Sequence, residues 1–243
     1  MAITVVTGGP IDTDAPALSI DVTTGGPITA VPPNLPGISY STLQTSIANW
    51  SQRTDISADE IRSLIALAEA MLNYGQQDME PLRVRDMLNV LTMTPESGEC
   101  LLPGDYLSYR TVVELSTPRR PLSYITPGHA DQIYPSRPSG AACDFTIVGD
   151  TLTTFPATSN DIDLTYYQAI PPLTDINTTN WLLTKQPNLY LHASLLQLAM
   201  YVRDDNLFQR SAALVKTLVD GLNTYDVLGN YAMAGTRLGM LTP

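Results

Sequence analysis

Basic residues are scarce in this chain and unevenly placed. Lysine and arginine number 13 against 24 aspartates and glutamates, a net charge of −11, and none occurs before Arg53 or between Arg137 and Lys185. Affinity for a nucleic-acid duplex comes mostly from basic side chains that neutralise phosphates, so sequence-specific DNA or RNA binding is disfavoured. An acidic surface keeps a protein soluble and still lets DNA slide past. Cysteine is nearly absent: Cys100 and Cys143 are the only two. They have no metal-binding spacing and read as two small buried thiols in a reduced interior rather than a disulfide. No apolar run approaches the roughly 18 residues that a bilayer-spanning helix needs, and the first residues lack the basic start and apolar centre of a secretory signal. No membrane partner is expected.

The residues of catalysis are as sparse. His129 and His192 are the only histidines. His192 lies within an apolar helical run and reads as a core or interface side chain, His129 lies in a Pro/Gly-rich stretch, and neither has a Cys, Asp or Glu at a metal spacing. Ser139-Gly140 is not a nucleophile elbow, and the Gly-Gly-Pro sequences are not phosphate loops, because proline removes one of the amides such a loop uses. Nothing singles out a working pair among the carboxylates. The sequence therefore names no catalytic, cofactor-binding or metal-binding residue.

What is present is a core and a clear division. Hydrophobic residues make up 44% of the 243, enough for a sizeable buried interior. Residues 1–38 hold too many glycines and prolines for a packed domain and form an extended arm. Within it Ile3-Thr4-Val5-Val6-Thr7-Gly8-Gly9-Pro10-Ile11 recurs as Ile20-Asp21-Val22-Thr23-Thr24-Gly25-Gly26-Pro27-Ile28. Two copies are too few for a solenoid, but each supplies a short extended segment ending in a turn. Ile3, Val5, Ile20 and Val22 are the expected contacts if those segments add as strands to another chain.

Residues 39–225 read as the folded domain, with helices over 41–85 and 180–225 around a β insertion over about 86–170. Ser41-Thr42-Leu43-Gln44 and Ser57-Ala58-Asp59-Glu60 both fit the capping box that opens a helix. Leu43, Ile47 and Trp50 share one face of the first helix. Ile61, Leu64, Ile65, Ala68, Met71 and Leu72 share one face of the second, which should run to about Tyr74. Strands follow at Met87–Thr94, Glu99–Leu102, Tyr109–Leu115, Asp144–Val148, Thr151–Phe155 and Asp161–Gln168, with Gly149-Asp150 as a hairpin turn. Thr117–Ala142 contains seven prolines and glycines and reads as a long loop. Pro171-Pro172 ends the last strand, Asn180 opens a helix, and Pro187 fits the first turn of another that is apolar on more than one side. Asp204 or Asp205 caps a last helix ending near Tyr225. Beyond it, 226–243 is an apolar tail without period, of the kind that meets a partner.

Helices on either side of a strand-only block are the sequence form of an α+β fold, here a helical bundle with an inserted small antiparallel β domain. One family carries the same motifs in the same order. Leu43-Gln44-Thr45-Ser46-Ile47-Ala48-Asn49-Trp50, Leu102-Pro103-Gly104-Asp105-Tyr106-Leu107, Pro121-Leu122-Ser123-Tyr124-Ile125-Thr126-Pro127, Ile170-Pro171-Pro172-Leu173 and Asn180-Trp181-Leu182-Leu183 resemble the signature of head-to-tail adaptor (connector) proteins of short-tailed phages. The resemblance covers roughly Ser41 to Tyr225; the arm departs from the family pattern, so its role is not carried over.

That resemblance implies a structural virion protein at the head–tail junction, assembled in the host cytoplasm. It implies a closed ring of about twelve copies, docked beneath the portal protein, meeting a tail or nozzle protein, and passing DNA through its channel without sequence-specific binding. It also implies that the tail docks on the portal, with Tyr231, Met233, Leu238 and Met240 as apolar contacts and Arg237 as the cation. Two other readings fit the composition: a virion-associated cell-wall hydrolase, and a tail-tube or stopper protein, which would have a sheet-dominated core.

Overall fold

The computed structural model describes residues 38–233 apart from Thr54 and Gln77, with side chains described as far as Asp226. The arm positions Ile3, Val5, Ile20 and Val22 lie outside the described residues, as do Arg237, Leu238 and Met240. The architecture is α+β, with six α-helices and two small, mostly antiparallel sheets among the described residues.

Helix α1 (Tyr40–Ser51) begins one residue before the expected cap: Ser39, not Ser41, is the N-cap, and its hydroxyl accepts from the amide of Thr42. The reason is tertiary. Tyr40 is buried and its amide donates to the carbonyl of Thr178 at 2.8 Å, which pulls the helix start forward. Leu43 and Ile47 are buried as their spacing predicts, but Trp50 is 60% exposed and meets the His192 ring edge-on at 5.6 Å. Helix α2 (Ala58–Tyr74) has the predicted capping box, with Ser57 and Glu60 satisfying each other's amides. All six residues of its predicted stripe are buried.

After a 3-10 turn at Arg85–Met87, the chain enters the β insertion. One sheet has the order β1 (Leu88–Met93), β8 (Ile162–Gln168), β3 (Tyr106–Glu114), β4 (Arg120–Pro121); the other has β2 (Glu99–Leu101), β7 (Thr151–Phe155), β6 (Asp144–Val148), β5 (Ser123–Tyr124). Their inner faces share one core, with Met93, Val112, Ile162, Leu164 and Tyr166 from the first sheet against Cys100, Phe145 and Leu152 from the second. The chain changes sheets at a single residue. Leu122 donates to Val112 in the first sheet and Ser123 donates to Cys143 beside the second.

The stretch read as a plain loop, Thr117–Ala142, therefore contains β4, β5 and a short helix α3 (Pro127–Ile133). Strands of two residues show no period, and Pro121 is tolerated because it sits at a sheet edge. Glu114 secures this corner: its Oε1 accepts from Thr158 Oγ1 at 2.6 Å, Asn160 Nδ2 at 3.1 Å and the Ala142 amide at 3.2 Å.

From β8 the chain returns through Ile170 and Leu173, both buried in the helical core. Asn180 caps α4 (Trp181–Lys185), Pro187 opens α5 (Pro187–Val202), and Asp204 caps α6, accepting from the amides of Asn206 and Leu207. Helix α5 is the centre of the bundle and packs on α1, α2, α4 and α6. Helix α6 (Asp205–Met233) corrects the expected end near Tyr225, since it continues two turns further. Gly229 costs only about 1 kcal/mol inside a helix, and the contacts of Asn223 and Asp226 described below hold this half of α6 to the domain. Tyr231 and Met233 thus belong to a helix and not to an irregular tail.

Candidate interaction site

Among the described residues the titratable side chains do not converge on a reaction centre. His192 is half-buried on α5, and burial pushes its pKa down, so it is neutral at pH 7. His129 is exposed on α3. Cys100 is buried and its thiol is pushed up to about 11 by burial. Cys143, against expectation, is exposed, although its backbone is bonded to Phe155 on one side and Ser123 on the other. Among the described residues no group of three or more His, Cys, Asp or Glu side chains could hold a metal ion.

What the chain builds is a set of buried polar links where the β insertion rejoins the helices. Glu69 on α2 accepts from the Leu173 amide at 2.9 Å and from the Tyr190 hydroxyl of α5 at 3.0 Å. Asn180 Nδ2 donates to Tyr190 Oη at 2.6 Å and to the Pro171 carbonyl at 2.8 Å, while Asn73 Oδ1 accepts from the Ile170 amide. Burial raises the Glu69 carboxyl, and burial beside that carboxyl raises the Tyr190 hydroxyl strongly. The return strand is thereby tied to two helices by groups that are expensive to leave unpaired.

A second set joins α6 to the segment before β1. Asn223 bridges the Arg83 amide (2.9 Å) and the Pro81 carbonyl (3.1 Å), and Asp226 Oδ1 accepts from both the amide and the Nε of Arg85, at 3.0 and 2.8 Å. Beside them opens a cleft of about 670 Å³ lined by Val84, Trp181, Leu222 and Tyr225, with the Lys185–Asp86 ion pair (2.6 Å) on its rim. Further apolar side chains stand exposed on the helices: Leu67 and Tyr74 on α2, Tyr201 on α5, and Phe208 and Leu214 on α6.

Charge is distributed to the same end. Among the described residues Arg53, Arg62, Arg85, Arg119, Arg137 and Lys185 are each paired with an aspartate, and the chain as a whole keeps a net charge of −11.

The sequence model of the SU10 adaptor protein family matches residues 38–237. The chain belongs to the SU10 adaptor protein family. The match starts where the described fold starts, at Ile38, and leaves the arm outside it. The family is one of phage structural proteins and not of enzymes, which makes this chain a virion component that contacts other virion proteins. No curated protein matches the chain.

Sequence reading missed the polar links. Glu69, Asn73, Asn180 and Tyr190 are spread over more than a hundred positions, and only folding brings them together. The one local signal was the i, i+3 spacing of Asn223 and Asp226, which puts two polar groups on one face of α6.

Proposed function

We propose that this SU10-family chain is the head-to-tail adaptor of a short-tailed phage, forming a ring beneath the portal through which the genome passes to a tail or nozzle protein. The observation that carries the reading is the family match across the whole described fold. Three features support it. Exposed apolar side chains on α2, α5 and α6 suit lateral packing between copies, and a heterologous contact whose rotation closes yields a ring, about twelve copies by the family resemblance. The buried links at Glu69 and Asp226 make a body able to bear load between head and tail. The net charge of −11 suits a channel that lets DNA pass without holding it.

Portal contact is assigned to the C-terminal end, through Tyr231, Met233, Arg237, Leu238 and Met240. With α6 reaching Met233, Tyr231 and Met233 lie on a helix that the domain already holds at Asn223 and Asp226. The test is imaging of assembled particles with the chain tagged at a surface loop. A ring of tagged subunits at the head–tail junction is the expected result. Finding the tag elsewhere in the particle, or a monomer in every assembly state, would sink the reading.

A further inference from the structure

Three of the four sheet edges in the β insertion are unsuited to receiving another strand. Strands β4 and β5 are two residues long, and β2 is three. Strand β1 differs. It has six residues, Leu88 to Met93, and among the described residues pairs with β8 alone, in register from Leu88 opposite Tyr167 to Met93 opposite Ile162.

Edges of this length are ordinarily protected by charge, proline or a bulge, because an unpaired ladder recruits other chains. Leu88-Asn89-Val90-Leu91-Thr92-Met93 has no charged residue and no proline, and its pairing with β8 has no register shift. Val90 at its middle is 59% exposed. The Val90 amide donates to the side-chain oxygen of Asn89 at 2.9 Å instead of to a strand. The Leu88 amide closes the preceding 3-10 turn by donating to the Arg85 carbonyl, and by the alternation of an antiparallel ladder Thr92 shares the outward backbone side with Val90.

We propose that the free edge of β1 is an acceptor for strand addition, and that its occupant is the arm of a second copy, through Ile3–Thr7 or Ile20–Thr24. Both segments read Ile-x-Val-x-Thr, the β-branched composition that suits a strand, at about the length of the edge. Their charges fit as well. The arm carries aspartates and no cation, and in a chain of net charge −11 it meets at β1 an uncharged edge that does not repel it. Each copy brings two such segments and one edge of sufficient length, so in an assembly one segment of each arm fills one edge. The 37 residues before Ile38 span at most roughly 130 Å when extended, ample for a neighbouring subunit.

This inference rests on the ring reading only in needing a neighbour. The experiment is hydrogen exchange on full-length assembled protein, wild type against the double variant Val5→Pro/Val22→Pro, in which each arm segment loses an amide donor. Light scattering records the oligomer in parallel. We expect the Val90 and Thr92 amides to exchange at least about tenfold faster in the variant, with the ring retained. Isotope-labelled variant copies assembled with excess wild type should regain protection, because wild-type arms reach them. Equal exchange in both proteins overturns the edge assignment and leaves the ring reading standing. Failure of wild-type copies to restore protection overturns the assignment to a second copy. A wild-type chain that stays monomeric overturns the ring reading, and the acceptor role of β1 with it.

Discussion

Tyr190 of α5 donates its hydroxyl proton to Glu69 of α2 across 3.0 Å, with both side chains buried. The two residues are 121 positions apart, and the β insertion lies between them in sequence. The pair therefore closes a loop that contains the whole β insertion, and Glu69 uses the same oxygen to hold the returning chain at Leu173.

Replacing Tyr190 with Phe keeps the ring and removes the hydroxyl. Glu69 loses a donor and Asn180 loses an acceptor, both in a buried setting. The expected cost is about 1–3 kcal/mol in a denaturant melt of the full chain. A melt indistinguishable from wild type would show that water replaces the hydroxyl at no cost.

Glu114 supplies a pH signature. Burial alone would raise its carboxyl, but the bonds from Thr158, Ala142 and Asn160 outweigh burial and hold it below the ordinary glutamate range. A depressed folded-state value means that the ionised group contributes stability above its unfolded pKa of about 4.3, and that this contribution is lost as pH falls through the folded value. Stability curves of wild type and Glu114→Gln should therefore lie furthest apart near neutrality and converge below that range. A constant gap down to pH 3 would contradict the assignment.

Gly98 closes the turn between β1 and β2 at a φ of +84°, and a Cβ there would lie 2.7 Å from the Cβ of Ala157. The Gly98→Ala variant has both a strained backbone and a clash with the segment after β7. Roughly 1–3 kcal/mol of stability should be lost, measurable as a lowered melting temperature, whereas Gly104→Ala, with open space around it, should change little.

Deletion of residues 234–243 tests the portal contact. Truncated subunits should keep the wild-type melting temperature, since the links from Asn223 and Asp226 remain, yet fail to join portal-containing heads. Unchanged occupancy on such heads would move the portal contact elsewhere on the chain.

The sequence by itself determined the elements and the class. The stripe from Ile61 to Leu72, the Ser57–Glu60 capping box, the hairpin around Gly149-Asp150 and the apolar run of α5 were all legible, because each is dictated by neighbours a few residues away. So was the order helix, strand, helix that makes the fold α+β, and the motifs that point to an adaptor. Tertiary structure decided the rest.

Helix α1 starts at Tyr40 because Thr178 is there to receive its amide, and α6 outruns Tyr225 while Asn223 and Asp226 are held by the residues before β1. Two-residue strands at Arg120–Tyr124 exist only because Val112 and Cys143 lie alongside. The Glu69–Tyr190 link and the unpartnered edge of β1 are relations between distant segments. Local periodicity encodes which residues face inward; it carries no information about which distant group will be waiting there, since that depends on how the sheets and helices stack.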